Sequence, residues 1–559
     1  MSDHADTRSP DPLRVVVVGG VAGGMSTATR LRRLDEAAEI VVVEKSGHVS
    51  YANCGLPYYV GGVIEREEDL LLQTPERLHQ RFRLDVRVHT EVVGIDPEAH
   101  TVTVLEGEEG TERRKGTIAF DRLVLSPGAL PVRPPIPGFG RVRVLRTVED
   151  ATRLFHDVAA KPATAVVIGA GFIGLETAEN LCHAGIDVTV VEAAPQVLAP
   201  LDQEMAIRVE QELERHGVRV VTGVAVTEIT DTEVLLGDGR RLPAELVVGS
   251  IGVRPDTRLA QMAGLELGPN GGIAVSHTGQ TSHPHIYAVG DAVEKEDHVS
   301  GQSSLIALAN VANRQGRRVA DHIAGRSVHP APSFGTAIVK VFGLTAAMTG
   351  WNERRLRQAG RTYKTVHSHP MNHASYYPGA EQMAMKLLFD PVTGEVLGAQ
   401  AVGGSGVDKR IDVIATAMAG GISAPDLADL ELAYAPPFSS AKDPVNMLGY
   451  MAENVASGSC NVLEPQDLQL LVDDRWTVVD VRTRSEHRAG HIPGSVNIPL
   501  DVLRDELPKL GNGPIVVYCQ VGQRGHSATM LLHEEGFTVR NLDGGYLTWR
   551  DWKASTREP

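Results

Sequence analysis

The chain has 559 residues, 42% of them apolar and 22% charged, with a formal net charge of −16. That length exceeds what one hydrophobic core can hold and predicts roughly three or four domains, while the ordinary α/β composition excludes a fibrous or wholly disordered chain. The acidic balance argues against non-specific nucleic-acid binding, because such a surface repels phosphate, and no run of about eighteen apolar residues is present to cross a membrane as a helix.

The four cysteines, Cys54, Cys182, Cys460 and Cys519, form no CxxC pair. Neither a disulfide framework nor a metal site is expected, and a reducing, cytoplasmic setting is. The opening segment MSDHADTRSPDPLR is polar, contains prolines and lacks an apolar signal region, so it reads as a short disordered leader. RVVVVGG, from Arg14, is then a short β-branched run bounded by glycines, the pattern of a parallel strand buried on both faces. It runs into GGVAGG, Gly19 to Gly24, and a helix. Such a turn presents backbone N–H groups and a helix dipole to a pyrophosphate, with Gly19, Val21, Ala22 and Gly24 as its candidate contacts. Val21 stands where a GxGxxG fingerprint has its second glycine, so a plain strand-to-helix turn fits as well. Glu44, ending the next strand EIVVVE, favours the nucleotide reading, since a carboxylate there can accept from both ribose hydroxyls. Arg30, Arg32 and Arg33 on the first helix can hold an anion or form a solvated face.

SYANCGLPYYVGG, Ser50 to Gly62, carries Cys54 beside a turn, with Pro57 compatible with a helix start. It could be a buried structural cysteine. As a working nucleophile it needs to be a thiolate, which a following helix N-terminus could favour. Further on, AVVIGAGFIGLETAENL supplies Gly169, Gly171 and Gly174 in full GxGxxG spacing. The strand after it ends in Glu192, which repels a 2′-phosphate, and Ala193 and Ala194 offer no arginine to receive one, so NADH is expected over NADPH. HIYAVGDAV, from His285, is a third strand, ending in Gly290 and Asp291.

These two nested dinucleotide units and the T-S-x-x-x-I-Y-A-x-G-D stretch from Thr281 resemble the two-dinucleotide flavoprotein disulfide reductases over roughly residues 12–450. The resemblance implies that the first unit binds FAD and the second the nicotinamide nucleotide. It further implies that Asp291 contacts the flavin's ribityl and phosphate region, and that Ala309 opens a helix, ANVANRQGRR, aimed at the flavin. The nucleotide domain would be inserted between SPGALP near Ser126 and SIGVRPD near Ser250, with a dimerisation domain starting near Ser333.

Glutathione-reductase-like members carry two cysteines four residues apart, whereas Cys54 has no such companion. Its segment resembles the S-x-x-x-C-G-L-P-Y element of coenzyme A disulfide reductases and their rhodanese-fused relatives. That resemblance implies a single-thiol cycle: Cys54 attacks a disulfide or persulfide, and electrons from NADH pass through FAD to the bound sulfur. The alternative is peroxide reduction through a Cys54 sulfenic acid; relatives of that kind typically carry a histidine in the first glycine turn, and GGVAGGMS has none. A flavin-bound sulfur-delivery or redox-sensing protein is a third reading. On the substrate side, NHASYYPGA and LAYAPPFSSAKDPVNMLGY resemble segments that bring two tyrosines across a dimer interface, implicating Tyr376 and Tyr434, with Tyr377 equally simple for the first. By the same resemblance Arg30 and Arg33 could pair with coenzyme A phosphates, Ser50, Tyr51 and Asn53 would line the thiol end, and Asn310 and Arg314 would face the partner's substrate.

After residue 460 an independent α/β pattern begins, and TVVDVRTRSEHRAGHIPGSVNIP with PIVVYCQVGQRGHSA resembles a complete rhodanese domain. Its loop, Cys519 to Gly525, could nest a thiolate or persulfide on backbone N–H groups, with Arg524 adding positive charge. A phosphatase loop is the competitor, but there the cysteine and arginine enclose five residues and here they enclose four. Asp480 and Glu486 are expected to brace the loop, and Cys182 and Cys460 to be structural. The expected architecture is therefore α/β: a discontinuous FAD domain (12–121 and 246–325), an NAD(H) domain (122–245), an α+β dimerisation domain (326–452) and a C-terminal α/β rhodanese domain (461–556). The expected assembly is a homodimer acting on a persulfide, polysulfide or coenzyme A disulfide.

Overall fold

A computed structural model describes residues 12–108, 110–473 and 475–556. The leader expected at residues 1–14 lies, up to residue 11, outside the described residues. The chain divides into two compact units: one runs to Val190 and resumes at Val226–Gly335, and the other comprises Val191–Ala225 and the described chain from Thr336 onward.

In the first unit, β1 (Arg14–Val18) leads through the glycine turn into α1 (Ala22–Leu34) and returns as β2 (Glu39–Val43). A short helix, α2 (Leu56–Val60), follows Cys54 before β3 (Asp85–Arg87) and β4 (Arg122–Leu125). The nucleotide unit contributes β5 (Thr164–Ile168), α3 (Phe172–His183), β6 (Asp187–Val191) and β7 (Leu246–Gly249). The chain then returns through β8 (Ile286–Ala288) and α4 (Ala309–Ile323). The first sheet is five-stranded, in the order β8-β4-β1-β2-β3, and every pair is parallel. Both faces are covered, as its unbroken valine run requires: Val15 and Val17 pack with Ala28 and Leu31 of α1, while Val16 and Val18 pack with Leu123, Leu125 and Ala288 on the other side.

Strand pairing corrects the expected domain boundaries. β4, assigned to the nucleotide domain by a start at 122, pairs with β1 and β8, and β7, assigned to the FAD domain by a resumption at 246, pairs with β5. Each crossing therefore falls at the end of a completed parallel strand, near Ser126 and Ser250, since a strand left behind would bare its ladder hydrogen bonds.

In the second unit, β9 (Ala337–Val341), β10 (Leu344–Gly350), β11 (Lys364–Ser368), β12 (Ala384–Phe389) and β13 (Val396–Gly403) form an antiparallel sheet in the order β9-β10-β13-β12-β11. The terminal α/β part holds β14 (Thr477–Asp480), β15 (Ile515–Tyr518), α5 (Gln523–Glu534), β16 (Val539–Leu542) and α6 (Gly545–Ser555). Its strands are parallel and buried on both faces, Val479 and Val517 towards one cluster and Val478, Val516 and Tyr518 towards the other. α6 packs on the helix Gln203–Arg215, and Asp551 takes the Arg208 guanidinium at 2.6 Å.

Beneath this contact lies a buried charge network absent from the sequence reading. Lys386, wholly inaccessible in β12, places its ammonium 2.9 Å from Asp202, 2.6 Å from Glu204 and against Glu353. His367 in β11 spans Glu204 (3.1 Å) and Asp543 (2.6 Å). Burial opposes a charged imidazole, yet Asp543 and Glu204 push His367 up to about 10. Asp202, Glu204 and Glu353 have the spacing of a cation site, and the Lys386 ammonium fills it.

Candidate functional site

The first glycine turn is a close crossing of strand and helix. A Cβ on Gly24 would lie 1.9 Å from the Gly19 carbonyl oxygen, and one on Gly19 2.1 Å from that of Ser126, so strand and helix cross too closely for side chains. Val21 is the helix N-cap with φ −108°, a negative value that does not call for the left-handed freedom of glycine. No side chain caps α1, which leaves N–H groups at Ala22 and beyond for a ligand. Glu44 accepts from the Gly20 and Ser46 amides at 2.8 and 2.9 Å, fixing its carboxylate at the end of β2. Asp291 sits in a short 3-10 turn held by Gln315, which accepts from the Gly290 amide at 3.0 Å, and by the Lys295 ammonium, which donates to the Gly290 carbonyl at 2.6 Å. Ala309, Asn310 and Arg314 lie on the exposed face of α4.

The second turn repeats the design with one informative difference. A Cβ on Gly174 would strike the Gly169 carbonyl oxygen at 2.0 Å, but one on Gly171 would meet no protein atom within 4 Å. The polypeptide does not demand that glycine, and the bare backbone there leaves the uncapped end of α3 open to a ligand. Glu192 follows β6, its carboxylate accepting from the Ala194 amide at 2.8 Å.

Cys54 is exposed, in the 3-10 turn Asn53–Gly55. The expectation that a helix depresses its pKa is corrected: α2 has only five residues, and desolvation, then Glu176 and Asp291, push the thiol up, with Arg146 alone opposing. Glu176, on α3, is itself pushed up to about 7 by burial, and accepts from the Tyr58 hydroxyl at 3.2 Å. Ser50 is tied to the glycine turn, its amide donating to the Gly20 carbonyl at 2.8 Å, and Tyr51 is buried. Asn53 faces Arg146, a residue the sequence reading missed. Arg30 is not free for a phosphate: its guanidinium holds Asp321 on α4 at 2.6 Å. Arg33 is exposed and stacks over Phe82, and Arg32 is spent on four backbone carbonyls.

In the second unit, the Tyr376 and Tyr434 hydroxyls meet at 3.1 Å, with the two residues 74% and 48% exposed, while Tyr377 turns edge-on to His373. Cys519 is wholly buried between β15 and α5, and its carbonyl accepts from the Tyr546 amide at 2.8 Å. The loop is shorter than expected, because α5 begins at Gln523 and Arg524 lies in its first turn. No side chain caps this helix, so its N–H groups open onto the cysteine loop. Arg524 does not act as an unpaired charge: its fork grips Glu486 at 2.9 and 2.5 Å, which holds that carboxyl down at about 2. Asp480 braces the loop from behind through Arg482, whose Nη1 donates to Gln520 at 2.8 Å.

Two nested dinucleotide folds, a lone exposed cysteine and a terminal rhodanese-like unit define a flavoprotein of the sulfur-reducing class. The chain belongs to the pyridine nucleotide-disulphide oxidoreductases, whose family model matches residues 13–316; the dimerisation domain of that family matches 336–444 and a rhodanese-like domain 464–551. FAD and NADH are the cofactors of such an enzyme. Coenzyme A disulfide reductase of Staphylococcus epidermidis is 34% identical over 442 residues, 79% of this chain and all of that one. Among solved structures, reduced Bacillus anthracis CoADR-RHD is 45% identical over 97% of this chain and 98% of its own, with a TM-score of 0.94. An NAD-dependent persulfide reductase from A. fulgidus is 37% identical over 96% of this chain and all of its own, with a TM-score of 0.90. Among the described residues, no helix is long and apolar enough to cross a membrane.

Proposed function

We propose that this chain is a homodimeric, FAD- and NADH-dependent reductase that cleaves the sulfur–sulfur bond of coenzyme A persulfide, polysulfide or coenzyme A disulfide at Cys54, with Cys519 carrying sulfane sulfur. The single observation that carries this reading is Cys54 itself, exposed on a turn beside the flavin-binding fold, with the other cysteines buried or half-buried. The paired cysteines, four residues apart, of an internal disulfide cycle are not present around Cys54. The related enzymes named above, a coenzyme A disulfide reductase and a persulfide reductase, support the same substrate class.

In the proposed cycle the Cys54 thiolate attacks the outer sulfur of a persulfide, RSSH, forming Cys54–SSH and releasing RS⁻. The glycine turns after β1 and β5 would hold the two nucleotides, and Glu44 and Glu192 would accept from their ribose hydroxyls. FAD, when bound and reduced by NADH, supplies the electron pair that returns Cys54 to its thiolate and frees HS⁻. The balance is RSSH + NADH + H⁺ → RSH + H₂S + NAD⁺, and a disulfide RSSR yields two RSH. The phenols of Tyr376 and Tyr434, supplied across the dimer, protonate or hydrogen-bond the departing thiolate. Asn53, Ser50, Asn310, Arg314 and Arg33 are the proposed substrate contacts. Arg30 is dropped from that set, because Asp321 already neutralises it.

The test is NADH oxidation measured side by side with coenzyme A disulfide, coenzyme A persulfide, polysulfide and hydrogen peroxide, in wild type and Cys54→Ser. The sulfur substrates should be turned over by wild type only. A peroxide rate matching the sulfur rates, or full activity in Cys54→Ser, would overturn the assignment.

A further inference from the structure

Arg146 ties together three segments that are remote in sequence. Its Nε donates to the Ala129 carbonyl at 3.1 Å. Its Nη1 donates to the Asn53 amide oxygen at 2.8 Å, while the Asn53 amide nitrogen donates back to the Arg146 carbonyl at 2.9 Å. Its Nη2 lies 3.8 Å from the Asp291 carboxylate. Room for this placement comes from Gly128, where a Cβ would sit 2.5 Å from Nη2 and where φ is +73°. Asn53 is thus gripped at both ends of its amide by one residue, and the next residue in the chain is Cys54.

The charges facing Cys54 are Glu176 from α3, Asp291 from the turn before α4, and Arg146 from the segment after β4, with the Tyr58 phenol of α2 also near. The first two disfavour a thiolate, and Arg146 favours it. Asp291 is also the residue proposed to face the flavin, so Arg146 connects the cofactor turn to the sulfur turn through one planar fork.

We propose that Arg146 is a positioning residue for the sulfur chemistry: it holds Asn53, and with it the Cys54 turn, in register with Asp291, and it supplies the positive charge that the Cys54 thiolate faces. This rests on the reading of Cys54 as the working thiol. It also assigns Asn53 a defined orientation, with its amide spent on Arg146 until a substrate competes for it.

The experiment uses the flavin-loaded, full-length protein, and its first readout needs no turnover. The rate at which iodoacetamide alkylates Cys54 is followed by mass spectrometry of the Cys54 peptide across a pH series, in wild type, Arg146→Met, Arg146→Lys and Asn53→Ala. Arg146→Met should move the midpoint upward by about one unit, making alkylation at neutral pH ~10-fold slower. Arg146→Lys should restore the midpoint, because the charge returns, yet raise KM for coenzyme A disulfide severalfold, as Asn53→Ala does, because an ammonium cannot rebuild the fork. A wild-type midpoint in flavin-replete Arg146→Met overturns the proposal. Should Arg146→Met not retain flavin, Arg146→Lys decides: a wild-type midpoint with the raised KM supports the proposal, and any other combination overturns it. Because alkylation reports the thiolate whatever Cys54 does in turnover, failure here is separable from survival of activity in Cys54→Ser.

Discussion

Replacing Lys386 by methionine removes the cation from the centre of a buried cluster while keeping much of its length and flexibility. Lys386 has no solvent exposure and serves Asp202, Glu204 and Glu353 at once. Without it Asp202 still accepts from the Gln400 amide at 2.7 Å, and Glu353 keeps Arg357 at 2.6 Å and the Tyr363 hydroxyl at 2.8 Å. Glu204 keeps the His367 ring. Breaking a buried ion pair by deleting one partner costs about 3–5 kcal/mol, a large part of a typical domain stability of about 5–15 kcal/mol. In wild type, burial pushes the Glu204 carboxyl up, but Lys386 and His367 outweigh it and hold the carboxyl below its ordinary range. That contribution is present above the ordinary carboxylate pKa and is lost as the pH falls. In wild type burial already pushes Asp202 up; in Lys386→Met all three carboxyls lose the ammonium and rise further, so the variant's deficit should be largest near pH 8 and shrink on mild acidification as they take up protons. Denaturant unfolding at several pH values, with Lys386→Met/Glu204→Gln beside the single variant, checks this. A deficit below ~0.5 kcal/mol, the size of a neutral surface change, or one that does not shrink with acid, would refute the argument.

Three further outcomes are expected. Gly24→Ala forces a methyl 1.9 Å from the Gly19 carbonyl oxygen and should yield protein without flavin, read from its visible absorbance; a normal flavin content would contradict the crossing geometry. Glu486→Gln releases Arg524, and sulfur transfer from thiosulfate to cyanide should change by up to roughly fivefold, the factor for an ion pair of ~1 kcal/mol; an unchanged rate would show that the pair is only a brace. His367, raised from an ordinary 6.5 to about 10, contributes stability that is fully present below 6.5 and lost as the pH rises through about 10. His367→Gln should therefore erase the alkaline part of the stability profile, and an unaltered profile would rule the ring out as its source.

The sequence alone determined what repeats along the chain or sits in consecutive residues. Short valine runs bounded by glycines fit strands buried on both faces, and Gly24 and Gly174 are required by crossings with Gly19 and Gly169 five residues before them, whereas Gly19 and Gly169 are required by Ser126 and Ser250, which only the fold brings near. The single cysteine in SYANCGLPYY and the isolated cysteine loop at 519 were legible for the same reason: local spacing carries their chemistry. What only the tertiary structure decided were pairings between distant residues, which depend on which side chains the fold brings within a few ångströms. Arg30 looked like a phosphate ligand until Asp321, on another helix, was found to neutralise it. Glu486 was expected to brace the cysteine loop, but only the fold showed that it does so by taking the Arg524 fork, and the thiol of Cys54 looked favoured by a helix, whereas desolvation, then Glu176 and Asp291, push it up. Lys386 left one trace, a lysine inside the apolar strand AMKLLF, where a charge is tolerated only if partners reach it. Its carboxylates come from positions 202, 204 and 353, and no local pattern could have paired them, because electrostatic energy in a protein interior is set by distance in space and not by separation along the chain.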